Sequence, residues 1–172
     1  LNLSPRIAVI TNIDNDHLDY YKDFADIQSA FAEFISKVPD DGFVVCDKKD
    51  LRLELVLGQT KATVVDYKNF LERISSAGLT VPGHHNLLNA SAALKVCEVY
   101  GLSRERAIGC LENFPFVDRR FSIRYESNRV IVIDDYAHTP REIESVLQAV
   151  NERFPESLPH LVFEAHRYSR LE

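Results

Sequence analysis

Two aspartates and a histidine follow directly on an apolar segment in the last third of the chain. Val130 to Ile133 is continuously apolar, and Asp134, Asp135 and His138 come next. Open α/β sheets bind their ligands beyond the carboxyl ends of their strands, so these side chains are candidates for a ligand site. Carboxylates and an imidazole could there bind a ligand or accept a proton. The alternative is that one aspartate only braces the turn and that His138 is a surface residue.

A second polar cluster follows the apolar run at residues 6–13. Its members are Asn12, Asp14, Asp16, His17 and Asp19. Carboxylates and an imidazole so close in sequence could hold Mg²⁺ or Mn²⁺ near a phosphate. The alternative is a polar loop between a strand and a helix, in which aspartates act as caps.

A pair of asparagines stands behind the Pro82-Gly83 turn. His84, His85, Asn86 and Asn89 come at the start of a long apolar stretch. The two asparagines are three residues apart and would share one face of a helix. Because an amide both donates and accepts, the pair suits the edge of an adenine. The alternative is that Asn86 only caps the helix.

Arginines occur at two further places. Arg120 belongs to the DRRF segment at 118–121, where it could reach an anion bound between two domains. The HRYSR segment near the end contains His166, Arg167 and Arg170, which suit a phosphate or a carboxylate. The alternatives are an exposed linker charge and a solvated basic loop.

The elements that must position these residues alternate between strand and helix. Apolar runs predict strands at 6–13, 42–47, 62–67, 121–126, 130–133 and 160–166. Helical periodicity predicts helices at 22–38, 86–101, 103–114 and 140–154, the second of them buried on all sides. Thr139 and Glu142 form a capping-box pattern before the last helix. The fold class is therefore α/β, with open sheets and flanking helices, and we place a domain boundary near residues 115–120.

The composition bounds the classes of function. The chain has 172 residues, of which 45% are hydrophobic, and its net charge is -6, which argues against a nucleic-acid partner. No apolar run reaches the length of a membrane span, and no signal peptide is visible. Three widely spaced cysteines, Cys46, Cys97 and Cys110, predict reduced core thiols of a cytoplasmic protein. The chain neither starts with Met nor contains one, so we expect it to be a segment of a longer protein.

Five segments resemble, in the same order, the motifs of the Mur ligases, the ATP-dependent enzymes of peptidoglycan precursor synthesis. They are TNIDNDHLDYY, PGHHNLLNASAAL, RRF, DDYAHTPREI and HRYSR. The DDYAH-x-P and HRYSR segments are similar to the branch of the family that joins L-alanine to UDP-N-acetylmuramate through an acyl phosphate. The resemblance implies those two substrates, ATP with Mg²⁺ or Mn²⁺ as cofactors, and a cytoplasmic location. It implies no nucleic-acid or membrane partner and leaves the oligomeric state open.

The resemblance also implies domains and residue roles. Residues 1–117 would be part of the central ATP-binding domain, and residues 118–172 the start of a Rossmann-like C-terminal domain. The implied roles are a metal ligand for His17, adenine contacts for His85, Asn86 and Asn89, a phosphate contact for Arg120, a ribose contact for Asp135, and substrate contacts for His138, Arg167 and Arg170. Arg120 and His138 would also be catalytic.

The sequence departs from the family in three respects. It contains no G-x-x-x-x-G-K-[ST] phosphate loop, so we expect the chain alone to be inactive. The stretch 48–80 looks short, and Thr139 stands where this branch usually has a second histidine. Three alternatives stay open: a sister ligase that adds another amino acid or peptide, a metal-dependent phosphoesterase, and a non-catalytic nucleotide-binding module.

Overall fold

The computed structural model describes residues 3–71, 74, 83–115 and 117–164. The chain divides into two compact units. The first comprises Leu1–Leu79 and Leu88–Leu111, and the second comprises Thr80–Leu87 and Glu112–Glu172. The predicted boundary between the two family domains, after residue 117, stays a prediction.

A parallel three-stranded sheet forms the centre of the first unit. Strands β1 (Ile7–Ile10), β2 (Phe43–Cys46) and β3 (Thr63–Asp66) are hydrogen-bonded in that order. The central strand is the most buried, and three of its four residues are fully buried. Continuous apolar runs are typical of parallel strands covered on both faces, and the three strands predicted in this part of the chain are confirmed.

Helices cover both faces of this sheet. Helix α1 (Phe24–Ser36) packs Ile27 and Ile35 against Ala8 and Val44, and helix α2 (Glu54–Leu57) adds Val56 to that cluster. On the other face Val45 and Tyr67 pack with Ala92 of helix α3 (His84–Val99).

Short 3₁₀ turns at Leu51–Leu53 and Lys68–Phe70 and helix α4 (Arg104–Glu112) complete the elements described in this unit. The Tyr67 hydroxyl donates to the Thr11 carbonyl at 2.9 Å, which ties the ends of β1 and β3 together.

Helix α3 is buried on one side only. Its buried residues are Ala90, Ser91, Ala92 and Leu94, whereas Asn89 and Glu98 are exposed. The prediction of a helix buried all round was therefore wrong. Asn89 and Ala93, one turn apart, lie on the exposed side, whereas the Lys95 ammonium packs 4.6 Å from the centre of the Phe70 ring.

An antiparallel hairpin and one helix make up the described part of the second unit. Strand β4 (Ser122–Glu126) pairs with β5 (Ile131–Asp134), with an irregularity between Ile123 and Tyr125, and helix α5 (Pro140–Arg153) follows. Val130 and Val132 are 54% and 46% exposed, so the predicted burial of this strand was wrong. Tyr125, which pairs with Val132, is 58% exposed, so the side of the hairpin that carries these two residues is exposed.

Residues 160–164 have no regular secondary structure, and Val162 is 96% exposed. The strand predicted over 160–166 is therefore wrong for this part, and its last two residues lie outside the described residues.

The cysteines differ in burial. All three are free thiols; Cys46 is buried, Cys97 half-buried and Cys110 exposed. The prediction of core thiols is confirmed for Cys46 and wrong for Cys110, which lies on the outer face of a short surface helix. Burial, reinforced by the negative charges of Asp66 and Asp47, raises the pKa of Cys46 to about 12. Among the described helices none is long and apolar enough to cross a membrane.

Candidate functional site

The Arg-Arg-Phe and Asp-Asp-Tyr segments of the second unit are joined by two hydrogen bonds whose donors are backbone N–H groups. Phe121 N donates to Asp135 Oδ2 at 2.7 Å, and Tyr136 N donates to the Arg119 carbonyl at 2.8 Å. Ala137 N donates to the second oxygen of Asp135 at 2.8 Å. Two motifs that lie apart in the sequence thus form one structural feature, which we call the RRF–DDY clip (residues 119–121 and 134–137).

The backbone of the clip adopts an unusual conformation. Arg119 and Phe121 have φ values of 58° and 51°, in the left-handed region that side chains disfavour. His17 has a φ of 57°, and these are the non-glycine residues with positive φ in the described part of the chain. Each such residue costs on the order of 1–3 kcal/mol, and such outliers cluster at functional sites. All three lie in motifs that the sequence predicts to bind a ligand.

Charged side chains surround the clip. Arg124 contacts Asp134 at 3.0 Å, and Arg119 Nε lies 3.7 Å from the same carboxylate. The Arg119 guanidinium also lies 5.0 Å from the centre of the Tyr136 ring, within the range of a cation–π contact. Arg120, between Arg119 and Phe121, is exposed, and its backbone N donates to the Val117 carbonyl at 3.2 Å. The Asp134 carboxylate therefore interacts with both arginines, and Arg124 also pairs with Asp118.

His138 is held in one orientation. Its Nδ1 lies 2.9 Å from the Tyr136 carbonyl and its ring meets the Tyr136 ring edge-on at 5.1 Å. A carbonyl only accepts, so Nδ1 carries the proton, and in the neutral ring Nε2 then carries the lone pair. Glu142 Oε2 lies 3.6 Å from Nδ1. This arrangement suits a proton acceptor.

Glu142 completes the turn that carries His138. Its carboxylate accepts from His138 N at 3.0 Å and from Thr139 N at 3.1 Å. Burial works against ionisation, but these two hydrogen bonds and the nearby His138 hold the pKa of Glu142 below its usual range. The predicted capping box between Thr139 and Glu142 is confirmed.

His85 lies near the same charged groups. Burial lowers the pKa of His85, the charge of Asp135 raises it, and the charge of Arg120 lowers it again. Among the described residues the buried His85 Nδ1 has no hydrogen-bond partner. Gly83 has a φ of +82°, and a Cβ on it would lie 2.8 Å from His85 Cε1. A glycine is therefore required beside this imidazole.

The two asparagines both lie on α3. Asn86 is half-buried and Asn89 is exposed, and their spacing puts them on one side of the helix. Because α3 begins at His84, Asn86 is inside the helix, and the alternative that it is only a cap is wrong. Asn86 is counted with the second unit and Asn89 with the first.

His17 belongs to a tight turn of the first unit. Its carbonyl accepts from Tyr20 N and Tyr21 N, and its Nε2 lies 3.6 Å from Asp16 Oδ2. Asp14 and Asp16 each accept the N–H of the next residue within the loop, whereas the N-cap of α1 is Asp23. In the part of the chain that the structure describes, no three His, Cys, Asp or Glu residues converge as a metal ligand set. The exposed His17 imidazole offers one nitrogen ligand, and because Mg²⁺ prefers oxygen ligands, its other ligands there would be water and phosphate oxygens.

Some of the predicted site residues lie outside the described ranges, and the structure adds site residues that were not predicted. His166, Arg167 and Arg170 belong to the former group. The sequence predicts a capping role for Glu142 but no role for Arg119 or Tyr136, whose side chains contact each other beside Arg120. The Arg-Arg pair and the capping-box pattern were visible signals, but the partners of each side chain were not.

Comparisons with known proteins agree with these motifs. The family model of the Mur ligase middle domain matches residues 1–70, and that of the Mur ligase, glutamate ligase domain matches residues 119–168. The UDP-N-acetylmuramate–L-alanine ligase of Clostridium kluyveri is 37% identical over 99% of this chain and 42% of its own length. That of Christiangramia forsetii is 39% identical over 99% of this chain and 41% of its own length.

A solved structure gives the same result for the fold. The UDP-N-acetylmuramate–alanine ligase of Thermotoga maritima superposes with a TM-score of 0.64, is 31% identical, and covers 89% of this chain and 40% of its own. The chain thus spans about two fifths of the length of the curated relatives it matches. With the middle-domain match at 1–70 and the glutamate-ligase-domain match at 119–168, the chain belongs to the Mur ligase family.

Proposed function

We propose that this chain is part of an ATP-dependent ligase that joins L-alanine to UDP-N-acetylmuramate in peptidoglycan precursor synthesis. The observation that carries the proposal is the match of 99% of the chain to two ligases named for that reaction. The RRF–DDY clip supports it, because it joins the segment of Arg120 to Asp135, and His138 of the predicted site follows the clip directly.

The chemistry that these residues would serve has two steps. The muramate carboxylate attacks the γ-phosphate of ATP, which gives an acyl phosphate and ADP. The L-alanine amine then attacks the activated carbonyl, and inorganic phosphate leaves. Arg120 would offset negative charge on the transferred phosphoryl group, and His138 Nε2 would accept the proton of the attacking amine.

The cofactor contacts follow the same proposal. His85, Asn86 and Asn89 would contact the adenine, and the family resemblance assigns Asp135 to the ribose. His17 would be a ligand of Mg²⁺ or Mn²⁺, and the metal would supply positive charge beside the phosphates. Arg167 and Arg170 would bind the nucleotide-sugar or the amino acid. A cytoplasmic location fits these substrates and is part of the proposal.

The test is ADP release by the full-length protein that contains this chain. It is supplied with Mg·ATP and UDP-N-acetylmuramate, and with L-alanine, glycine, L-serine or L-glutamate in turn. ADP that forms only with the sugar nucleotide and L-alanine supports the proposal. The isolated chain, whose sequence has no phosphate loop, is expected to form no ADP in the same assay.

The other outcomes point to the alternatives. ADP release that depends on a different amino acid or peptide indicates a sister ligase, and Thr139, which replaces a usual histidine, is then the first residue to exchange. A protein that binds ATP and forms no ADP with any acceptor is a nucleotide-binding module, and the ligase proposal is then rejected.

A further inference from the structure

Both oxygens of the Asp135 carboxylate accept backbone hydrogen bonds. Oδ2 accepts from Phe121 N at 2.7 Å, and Oδ1 accepts from Ala137 N at 2.8 Å. One donor belongs to the loop after β5 and the other to the segment that leads into β4. A hydrogen bond to an ionised carboxylate is shorter and stronger than one between neutral groups. Asp135 thus fastens two separate backbone segments to each other.

The segment that Asp135 holds is the one that carries Arg120. Arg119 and Phe121, on either side of it, both have positive φ, and neither is a glycine. The Tyr136 N–H to Arg119 carbonyl bond fastens the near end of this segment, and Asp135 fastens the far end at Phe121. Phe121 is itself buried, at 5% exposure. A disfavoured backbone of this kind persists only where its surroundings hold it, so the direction of Arg120 depends on these contacts.

We propose that Asp135 is a positioning residue for Arg120. The Asp135 carboxylate holds the backbone segment from which the Arg120 guanidinium reaches a nucleotide phosphate. The family resemblance assigns Asp135 a different task, direct contact with the ATP ribose. The kinetic consequence depends on the proposed ligase function, whereas the two hydrogen bonds can be measured without it.

Asp135→Asn is the informative substitution. The asparagine has the same shape but only one oxygen, so one of the two N–H donors would face an NH₂ group that cannot accept. Asp23→Asn is the matched control, because Asp23 also accepts a backbone N–H, from Asp26 at 2.9 Å, at the start of α1. The control removes the same charge at a helix cap where asparagine serves as well as aspartate.

The first measurement is amide hydrogen exchange by NMR on the chain itself. The Phe121 and Ala137 amides are expected to be protected in the wild-type chain. Asp135→Asn should expose the Phe121 amide at least, while the amides that pair β4 with β5 stay protected. Unchanged protection of both amides in Asp135→Asn would overturn the positioning role, because the carboxylate would then not hold this backbone.

The second measurement is steady-state kinetics of the full-length protein. Asp135→Asn should lower kcat by roughly 10- to 100-fold, as displaced catalytic groups do, with a smaller change in KM for ATP. The double variant Asp135→Asn/Arg120→Ala should be no slower than Arg120→Ala alone. The preference for ATP over 2′-deoxy-ATP and 3′-deoxy-ATP should be the same in Asp135→Asn and in the wild type.

Two kinetic results would overturn the inference. If Asp135→Asn abolishes the preference for ATP over a deoxy analogue, the carboxylate binds the ribose directly. If the effects of the two substitutions multiply, Asp135 and Arg120 act independently. A wild-type protein that forms no ADP rejects the ligase function instead, and the exchange of the Phe121 amide then decides the positioning role.

Discussion

Thr139 and Glu142 cap the first turn of α5 reciprocally. Glu142 N lies 3.4 Å from Thr139 Oγ1, and Thr139 N donates to the Glu142 carboxylate at 3.1 Å. The same carboxylate oxygen accepts from His138 N at 3.0 Å. The cap therefore stabilises the helix and also fixes the backbone of the proposed proton acceptor.

Removal of the Thr139 hydroxyl should destabilise the chain. Thr139→Ala leaves an N–H of the first helical turn without its acceptor, which costs about 1 kcal/mol of the free energy of unfolding. Thr139→Ser keeps the hydroxyl and should cost much less. Urea denaturation followed by circular dichroism measures both. Equal stability of Thr139→Ala and Thr139→Ser would show that the hydroxyl does not cap the helix.

The charge of Glu142 makes this stabilisation pH-dependent. Because the folded pKa of Glu142 lies below the ordinary value of 4.5, its contribution is complete above that pH and is lost as the pH falls through the folded pKa. Glu142→Gln keeps a capping side chain without the charge, so the wild type should be more stable at pH 7 by about 0.3–1 kcal/mol. Melting temperatures between pH 7 and pH 3 should show this difference shrink as the pH falls. A difference that is constant with pH would contradict the assignment.

Alanine substitutions at Gly83 and Gly101 should lower the free energy of unfolding by different amounts, because only one of the two sites is crowded. Both have a φ of +82°, and a Cβ on Gly83 would lie 2.9 Å from Ala149 Cβ and 2.8 Å from His85 Cε1. No described atom lies within 4 Å of a Cβ on Gly101. Gly101→Ala should therefore cost about 1–2 kcal/mol for its backbone alone, and Gly83→Ala about 1–3 kcal/mol more. Denaturation curves of the two variants test this, and equal costs would mean that the space beside His85 is not filled.

The cysteines should react with a thiol reagent at very different rates. Cys110 is exposed and should react first, whereas burial and a pKa of about 12 protect Cys46. Mass spectrometry after brief alkylation at pH 8 should find the label on Cys110, and on Cys46 only after denaturation. Cys110→Ser is the control that removes the fast phase. Rapid labelling of Cys46 in the native chain would contradict its position in the core.

Short-range patterns predicted the elements well, and they predicted burial less well. The apolar runs of β1, β2 and β3 and the Thr139–Glu142 cap depend on neighbours in the sequence, and the structure has all of them. The exposure of Val132 depends on whether another element covers the hairpin. The identity of residues 130–133 alone does not show whether another element covers them.

In the candidate site, too, the sequence predicted local structure but not contacts between distant segments. The sequence placed Asp135 directly after a strand, and the structure agrees. Its partner is the N–H of Phe121, a backbone group that every residue except proline has, so the sequence could not identify it. The positive φ of Arg119 and Phe121 was also invisible, because the usual signal for that conformation is glycine.

The strand pairings set an order in which the two sheets can assemble during synthesis. Ser122 pairs with Asp134 across a short turn, whereas Ile7 pairs with Phe43 and Phe43 with Thr63 only after long connections. Closing a longer loop costs more chain entropy, and parallel pairing is correspondingly slow. The hairpin can therefore form as soon as it leaves the ribosome. Within this chain β1 is synthesised before α1 and β2, so its pairing with β2 must wait until both have followed it.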